Sequence, residues 1–229
     1  MIKKINIAVI PARSRSKRIK NKNIRSFKGK PMIYWPINAA KKSKIFDKII
    51  VYTDSEKIKK YALKFGAEVP HSRDRRISDS HTGIDEVMKN IIEKIHLKNL
   101  DTVCCIFAAT PFIKSKTLIK AFKVLQKNKH LDYVFSAKKI DSKVFRSFYY
   151  SNKGIKMILP KFYKSNSQKL KDLYVDAGQF YFGKKIAWLK KKKIFDKNSK
   201  IVVPDYKTVD IDTEKDLKKA YEIAKTEKR

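Results

Sequence analysis

Short apolar runs and amphipathic stretches alternate along most of the chain, and this alternation limits its fold more than any other feature. Apolar runs bounded by turn residues predict strands, whereas apolar residues every three or four positions predict helices packed on a core. The pattern therefore predicts an α/β domain with a mostly parallel sheet and helices on both faces. Strands are predicted at 5–10, 48–52, 102–107, 133–137, 178–182, 201–204 and 209–212, with a weaker one at 67–69, and helices at 32–42, 56–65, 84–96, 116–127 and 214 to about 225.

The 229 residues are enough for one sizeable domain, and we interpret 1–229 as a single domain. The alternation breaks at about 138–175, where Tyr, Phe, Lys and Ser are abundant and no period is clean. A long irregular insertion is usually a lid, an arm or an oligomer contact. We expect this one to be an inserted arm.

The chain is strongly basic, with 56 Lys and Arg against 22 Asp and Glu and a net charge of +34. This charge makes a basic nucleic-acid-binding protein the alternative from a different functional class. The lysines are spread along the whole chain, however, and no block has interleaved aromatics or zinc-ligand spacing. No apolar run approaches the roughly 18 to 20 residues that span a bilayer. We therefore expect a cytoplasmic protein that binds neither nucleic acid nor a membrane.

Two adjacent cysteines, Cys104 and Cys105, lie within a predicted strand. Neighbouring strand residues point to opposite faces of a sheet and do not form an ordinary structural disulfide. We interpret both as small buried residues in a reducing compartment.

The first predicted strand runs into a basic loop at 11–23. In doubly wound sheets, ligands bind at the carboxyl ends of the strands, and cations with backbone N–H groups suit a polyphosphate there. The loop contains no glycine and matches neither the P-loop nor the dinucleotide fingerprint. The alternative interpretation is a solvated basic loop.

Two acidic residues, Asp210 and Asp212, lie two positions apart in a predicted strand and so share a face. Converging carboxylates are hard oxygen ligands suited to Mg²⁺ that carries substrate phosphates. Thr213 and Asp216 have the spacing of a capping box for the last helix. The alternative interpretation is an exposed turn whose acids stabilise the helix N-terminus.

Further polar residues are expected at the same edge of the sheet. Thr53 and Asp54 follow the second predicted strand, and the stretch 73–79 follows the weaker one. His81 and Thr82 come soon after, so His81 is a candidate to border a site, whereas the other histidines show no shared spacing.

Four motifs, in correct order over essentially the whole chain, resemble the acylneuraminate cytidylyltransferase family, the CMP-nonulosonate synthetases. That family opens roughly with P-A-R-G-G-S-K and K-N, continues with F-x-G-K-P and V-S-T-D, and ends with D-I-D-T. The matching residues are Pro11-Ala12-Arg13, Ser16-Lys17, Lys22-Asn23, Phe27-Lys28-Gly29-Lys30-Pro31, Val51-Tyr52-Thr53-Asp54 and Asp210-Ile211-Asp212-Thr213.

The resemblance implies a Rossmann-like nucleotidyltransferase fold and a homodimer joined through the arm at about 138–175. It implies CTP and an acidic sugar as substrates, with Mg²⁺ held by Asp210 and Asp212. Catalysis is assigned to these two residues with Arg13 and Lys22. The CTP-binding residues implied are Ala12, Arg13, Ser16, Lys17, Lys22, Asn23, Arg73 and Ser78.

Finer features resemble the CMP-pseudaminic acid synthetase subgroup. They are the stretches T-G-I-D-E-V at 82–87, C-C-I-F-A-A-T-P-F at 104–112 and D-A-G-Q-F-Y-F-G at 176–183. Sialic acid enzymes more often have a polar Gln where this chain has Phe107, and an apolar wall suits a sugar with a deoxy methyl terminus. The sugar-binding residues implied are Asp54, Thr82, Asp85, Phe107, Arg146, Gln179 and Tyr181. The alternatives are CMP-N-acetylneuraminate, CMP-legionaminate or CMP-Kdo synthetases.

The chain departs from the family pattern at three places. Ser14 and Arg15 stand where the family usually has Gly-Gly, and Lys20 stands where it has Pro. Asn166 stands where the subgroup tends to have Arg, and Lys164 or Arg146 is a candidate to supply the missing positive charge. A residue with a side chain in the left-handed region costs about 1 kcal/mol. We therefore expect either that the first loop follows another path or that the Arg15 charge contacts the phosphate where the backbone lies farther from it. A catalytically inactive relative is the remaining alternative.

Overall fold

A computed structural model of the chain describes residues 4–16, 18–79, 81–96, 100–166, 168 and 170–226. Its centre is a six-stranded sheet, and two further strand pairs lie outside this sheet. The central strands are β1 (Ile5–Pro11), β4 (Lys48–Tyr52), β5 (Leu100–Ile106), β6 (Tyr133–Ile140), β9 (Leu173–Lys184) and β10 (Ser199–Val202). The outer pairs are β2 (Ser26–Phe27) with β3 (Lys30–Pro31), and β7 (Phe148–Ser151) with β8 (Gly154–Met157).

The central sheet has the order β10-β6-β9-β5-β1-β4 and is mostly parallel, as the alternation predicted. β1 pairs in parallel with both β4 and β5, and β10 pairs in parallel with β6. β9 is the exception, because it pairs antiparallel with both β5 and β6. Its amino-terminal half therefore lies at the sheet edge where the parallel strands have their carboxyl ends.

Helices cover both faces of the sheet, which confirms the second part of the prediction. The helices are α1 (Tyr34–Ser43), α2 (Glu56–Lys64), α3 (Ile84–Ile95), α4 (Ser115–Lys127), α5 (Lys185–Leu189) and α6 (Glu214–Thr226). One core cluster joins one sheet face to buried residues of α1, α2 and α4, and a second joins the other face to α3 and α5. Among the described residues, no helix combines the length and the apolarity needed to cross a bilayer.

The alternating side chains of the central strands supply both clusters. In β1, Ala8 and Ile10 belong to the first cluster, and Ile7 and Val9 belong to the second. Cys104 and Cys105 in β5 divide in the same way, and both are free and fully buried. Burial raises the pKa of both thiols, so they are inert core residues, as expected.

Two predicted strands are wrong. Residues 209–212 form an extended segment without strand pairing, and residues 67–69 contribute only an isolated bridge between Glu68 and Ile50. In the first segment Val209 and Ile211 are buried, and they pack with residues of α6 in a third core cluster. The buried side chains of Val209 and Ile211 therefore orient this segment, although its backbone pairs with no strand in the described part of the chain.

The region predicted as an irregular arm is partly regular. Its ends belong to β6 and β9, which pair as far as Ile140 with Leu173. Beyond this point β7 and β8 form a hairpin, and Gly154, the first residue of β8 after the turn, has φ +95°. The hairpin was not predicted because its strands are exposed on nearly every residue, so they lack the one-sided apolar pattern of a half-buried strand.

The predicted capping box at the start of α6 is present. The Asp216 backbone N–H donates to Thr213 Oγ1 at 3.3 Å, and Thr213 N–H donates to Asp216 Oδ2 at 2.8 Å. We expect Thr213→Ala to lower the free energy of unfolding by about 1 kcal/mol in urea denaturation, because it leaves an orphan N–H at the helix start. Thr226→Ala, at the other end of α6, is the matched control, and an equal loss from both variants would contradict the capping role.

Candidate active site

A cleft of about 550 Å³ opens at the carboxyl ends of β1 and β5. The loop after β1 supplies Arg13, Ser16, Lys22 and Asn23 to its wall, and the loop after β5 supplies Phe107. The antiparallel β9 and the segment before α6 also contribute to the wall. Their lining residues are Asp176, Gly178, Tyr181, Asp210 and Asp212.

The basic loop after β1 is held in place by its own polar residues. Asp54 accepts hydrogen bonds from the Ser14 N–H at 2.6 Å and from the Ser14 hydroxyl at 2.8 Å. The side-chain amide of Asn23, which is only 8% exposed, donates to the Arg13 carbonyl at 3.0 Å. Asp54, predicted to contact a sugar, is bound instead to this loop and does not line the cleft.

The replacement of Gly-Gly by Ser14 and Arg15 introduces no backbone strain here. Neither residue has a positive φ, whereas Asn21, ahead of the 3₁₀ turn Lys22–Ile24, has φ 56°. Asn tolerates the left-handed region better than most residues. The backbone at Ser14 and Arg15 therefore has a conformation that residues with side chains adopt without strain.

Lys22 connects the basic loop to the acidic segment across the cleft. Its ammonium donates to the Ile211 carbonyl at 2.7 Å and to Asp212 Oδ1 at 3.1 Å. The guanidinium of Arg18 lies 2.8 Å from the other carboxylate oxygen of Asp212. Lys22 is the less exposed of these two cations, so its position is the better defined.

The carboxylate of Asp210 lies in an unfavourable electrostatic environment. Surrounding protein reduces its contact with water although the residue is open to the cleft, and this desolvation, with the charge of Asp212, raises its pKa. The Lys22 charge opposes the rise. Asp210 also lies against Gly178, where an added Cβ would be 3.0 Å from the Asp210 Cγ. Gly178 has φ +61°, so its backbone conformation favours glycine, and a side chain there would also push against the Asp210 carboxylate.

Asp176 is a third carboxylate at the cleft, and the motifs in the sequence did not assign it to the site. It accepts a hydrogen bond from the Gly178 N–H at 2.9 Å and another from the Tyr181 hydroxyl. Burial, followed by this hydrogen bond to Asp176, raises the pKa of Tyr181, which therefore keeps its proton. The D-A-G-Q-F-Y stretch contained the signal, but only the antiparallel direction of β9 brings Asp176 to the edge.

Arg73 is a buried cation at the cleft. It is 7% exposed, lines the cleft and donates through its guanidinium to the Ile77 carbonyl. Burial lowers its pKa, and the charge of Asp54 opposes this effect. Ser78 belongs to the same loop but does not line the cleft. Its hydroxyl donates to the Asp74 carbonyl at 2.8 Å.

The loop after Ser78 is organised by Asp79. Its carboxylate accepts hydrogen bonds from the Thr82 N–H and hydroxyl and from the His81 N–H, and these bonds lower its pKa to about 2. Arg13 donates to the backbone carbonyl of Asp79. Asp79 and Thr82 both line the cleft, whereas His81 does not.

One wall of the cleft is apolar. Phe107 packs edge-on against Tyr181, with ring centroids 5.3 Å apart, and Ile84 and Val87 from α3 lie on the same lining. The apolar wall predicted at Phe107 is therefore present. It is broader than the sequence indicated, because α3 contributes to it.

Four further residues assigned from the sequence do not line the cleft. Ala12 is fully buried, and Gln179 is 1% exposed with its Oε1 bound by the Tyr206 hydroxyl. Asp85 lies in the first turn of α3, and Arg146 is exposed in the arm; neither lines the cleft. Lys17 lies outside the described residues. The roles of these five residues stay predictions.

The acidic side chains suit a divalent cation only if the substrate completes its shell. Within the described ranges, no three His, Cys, Asp or Glu side chains converge on a single ion position. Asp210 and Asp212 offer hard oxygen ligands, and their mutual repulsion is of the kind that a cation relieves. Two carboxylates with phosphate oxygens are a common Mg²⁺ arrangement, so the residues fit this ion.

Comparisons with known proteins agree with this geometry. Residues 7–227 match the family model described as cytidylyltransferase. A pseudaminic acid cytidylyltransferase of Campylobacter jejuni is 40% identical over 216 residues, which cover 93% of this chain and 93% of that protein. A Helicobacter pylori protein named pseudaminic acid cytidylyltransferase and UDP-2,4-diacetamido-2,4,6-trideoxy-beta-L-altropyranose hydrolase is 39% identical, covering 84% of this chain and 37% of that protein.

Solved structures show the same fold. A CMP:2-keto-3-deoxy-manno-octonic acid synthetase complexed with CTP superposes with a TM-score of 0.73 at 15% identity, covering 96% of this chain and 98% of that chain. At this identity the likeness is one of fold alone.

Proposed function

Because this chain belongs to the cytidylyltransferase family, we propose that it transfers a cytidylyl group from CTP to an acidic nine-carbon sugar and releases pyrophosphate. One observation of the structure carries this proposal: Arg13, Lys22 and Arg73 line the same cleft as the carboxylates Asp210 and Asp212. Cations suit a triphosphate, and paired carboxylates suit the metal ion that accompanies it.

The sugar that we propose is pseudaminic acid. The Campylobacter jejuni relative, which matches along nearly the whole chain, is named for this substrate. Phe107 and Tyr181 present an apolar wall in the cleft, where a hydroxylated tail would lose hydrogen bonds to water. A deoxy methyl terminus loses none, so this wall favours the deoxy sugar.

In the proposed reaction the anomeric hydroxyl of the sugar attacks the α-phosphorus of CTP in line with the leaving group. A P–O bond to the sugar forms, the bond to the pyrophosphate breaks, and the hydroxyl proton is lost to solvent. The task of the protein is to align these groups and to neutralise the charge that develops on the phosphates.

Lys22 is the cation best placed for the leaving pyrophosphate. An ammonium has three N–H donors, and two of those of Lys22 point to the Ile211 carbonyl and to Asp212. The third remains for a phosphate oxygen. Arg13 and Arg73 line the same cavity and add positive charge along it.

We propose Mg²⁺ as the metal ion, with Asp210 and Asp212 as its protein ligands. When bound, the ion would neutralise phosphate charge and lower the pKa of the attacking hydroxyl. Asp212 is shared with Lys22 and Arg18, so these cations would hold its carboxylate ready at the edge of the cleft.

The test of the function is pyrophosphate release from CTP and Mg²⁺ with several sugar acids. We expect kcat/KM for pseudaminic acid to exceed that for N-acetylneuraminic acid at least about tenfold, since pocket polarity of this kind discriminates by that order. Legionaminic acid and Kdo complete the panel. A clear preference for N-acetylneuraminic acid would reject the choice of sugar, and no release with any sugar acid would reject the reaction itself.

We also propose that the protein is a homodimer joined through the arm. The hairpin exposes large apolar side chains, among them Tyr150 at 83% and Ile155 at 66%, which are cross-strand partners. Neighbouring large apolar side chains that are this exposed often mark an interaction surface. In this arrangement Arg146 from one subunit is the candidate to meet the acidic sugar of its partner.

We expect Tyr150→Ser with Ile155→Ser to convert the dimer to a monomer in light scattering. Burying two such side chains contributes roughly 1.5–3 kcal/mol each to association. Lys153→Gln, in the turn of the same hairpin, is the control and should remain dimeric. A wild-type protein that is monomeric at micromolar concentration would contradict the proposal.

A further inference from the structure

A second cavity, of about 610 Å³, lies between α1 and the start of α4. Its wall comes from the turn between β2 and β3, from one side of α1, and from the stretch that leads into α4. We call it the α1–α4 pocket. It shares no lining residue with the cleft described above, and nothing in the proposed reaction uses it.

Aromatic rings form one side of the α1–α4 pocket. Trp35 and Tyr34 are adjacent in α1, half-buried, and pack edge-on with ring centroids 5.2 Å apart. Phe27 packs edge-on against Trp35 and in turn against Phe112, and both phenylalanines are buried. Such partly exposed rings offer a flat apolar surface against which another planar ring can stack.

Lysines surround these rings. Lys28, Lys42, Lys114 and Lys116 line the pocket, and none of its described lining residues is acidic. Lys116 is paired with Asp205, and the Lys114 ammonium lies 4.8 Å from the Tyr206 ring. Lys28 and Lys42 are exposed at the rim, from opposite sides of the pocket. Apart from the paired Lys116, the wall therefore contributes the charges of Lys28, Lys42 and Lys114, and an anion is the complementary occupant.

We propose that the α1–α4 pocket is a second binding site that takes a nucleotide, with the base against Trp35 and the phosphate among the lysines. The rings alone would suit any apolar compound, and the lysines alone would suit inorganic phosphate. A nucleotide combines a planar ring with phosphate charge, and this combination matches both halves of the wall.

The position of the pocket places its ligand behind the catalytic cleft. Ala109 lines the cleft, and Pro111 and Phe112, a few residues along the same loop, line the pocket. Phe27 and Phe112 also belong to the core cluster that contains Ile211, between the two acidic residues of the site. A nucleotide in the pocket therefore contacts the layer that supports the acidic segment.

Tryptophan fluorescence provides a direct test, because the chain contains two tryptophans in very different places. Trp35 lines the pocket, whereas Trp188 is fully buried, with its Nε1 donating to the Val103 carbonyl. We expect CMP to quench the fluorescence saturably, more strongly at low salt than at high salt. Cytidine and inorganic phosphate, each with half of the required chemistry, should bind at least about tenfold more weakly.

The variant Lys42→Gln with Lys114→Gln should weaken CMP binding at least about tenfold, since two charge-assisted contacts are lost. Lys120→Gln with Lys123→Gln, on α4 but outside the pocket, removes the same charge and should change the affinity less than about twofold. Thermal unfolding of both variants shows whether either has lost its fold. Equal affinities for the two double variants would overturn the proposal.

The cleft is distinguished from the pocket by a third variant. Arg13→Ala with Lys22→Ala weakens phosphate binding in the cleft, and we expect it to retain the CMP-dependent quenching. Loss of quenching in this folded variant would assign the signal to the cleft and overturn the second site. The fluorescence measurement does not depend on catalysis. A negative result would therefore reject the second site without bearing on the proposed reaction.

Discussion

Asp210→Asn and Asp212→Asn should each reduce metal-dependent turnover at least about a hundredfold. Both carboxylates line the cleft and are the residues that fit Mg²⁺, and charge stabilisation by a bound metal contributes several kcal/mol to such reactions. An amide offers a weaker, neutral oxygen. The measurement is pyrophosphate release at saturating CTP across a range of Mg²⁺ concentrations, where each variant should need more metal than the wild type.

The control for this prediction is Asp196→Asn, which removes one exposed carboxylate that does not line the cleft. It should leave turnover unchanged. Near-normal activity of both cleft variants in Mg²⁺ would show that the metal assignment is wrong.

The unfolding temperature of Asp210→Asn should also show that its lower turnover does not result from a loss of folding. The pKa of Asp210 is raised in the folded protein, so its ionised form is less favourable there than in the unfolded chain. This carboxylate therefore lowers the free energy of unfolding increasingly as the pH rises from its pKa in the unfolded chain to its higher pKa in the folded protein. In metal-free protein, Asp210→Asn should unfold at a temperature equal to or above that of the wild type at pH 7, and this difference should shrink as the pH falls below about 4.

Lys22→Gln should lower kcat/KM for CTP by about a hundredfold to a thousandfold, the range seen when one preorganised donor to a developing charge is removed. Lys22 is half-buried between the basic loop and the acidic segment, bound to both Ile211 and Asp212. Glutamine keeps hydrogen-bonding capacity but removes the charge. Steady-state kinetics with varied CTP, together with the reverse reaction from pyrophosphate, measure the loss in both directions.

Lys20→Gln is the matched control, because Lys20 lies two residues earlier, is exposed and does not line the cleft. Its effect should stay within a few-fold. If the two variants lost activity equally, general positive charge rather than the position of Lys22 would explain the effect.

The strands and helices that the sequence predicted correctly are those with a strong pattern of their own. The apolar stripe of α3, with Val87, Met88, Ile91 and Ile92 buried, is one example. The failure at 209–212 has a different cause. Asp210 and Asp212 were predicted to share a face, and the burial of Val209 and Ile211 between and beside them fits that alternation. A strand also needs a partner with free N–H and C=O groups, and the local pattern does not contain that partner.

The candidate site divides in the same way. Arg13, Lys22, Asn23, Asp210 and Asp212 were assigned from short motifs, and all five line one cleft. Asp176 was missed, because its place depends on the antiparallel direction of β9. Asp54 was assigned to the sugar, yet its carboxylate accepts hydrogen bonds from Ser14, forty positions away in the chain.

The sequence by itself determined the α/β class, the cations and carboxylates of the cleft, and the family, because periodicity and motifs are local properties of a chain. Only the tertiary structure decided that β9 runs antiparallel, that Asp176 and Gly178 lie beside Asp210, and that Lys22 bridges to the acidic segment. These contacts join residues far apart in the chain. Their formation depends on how the sheet is ordered and how the helices pack on it, and no short window of sequence contains that information.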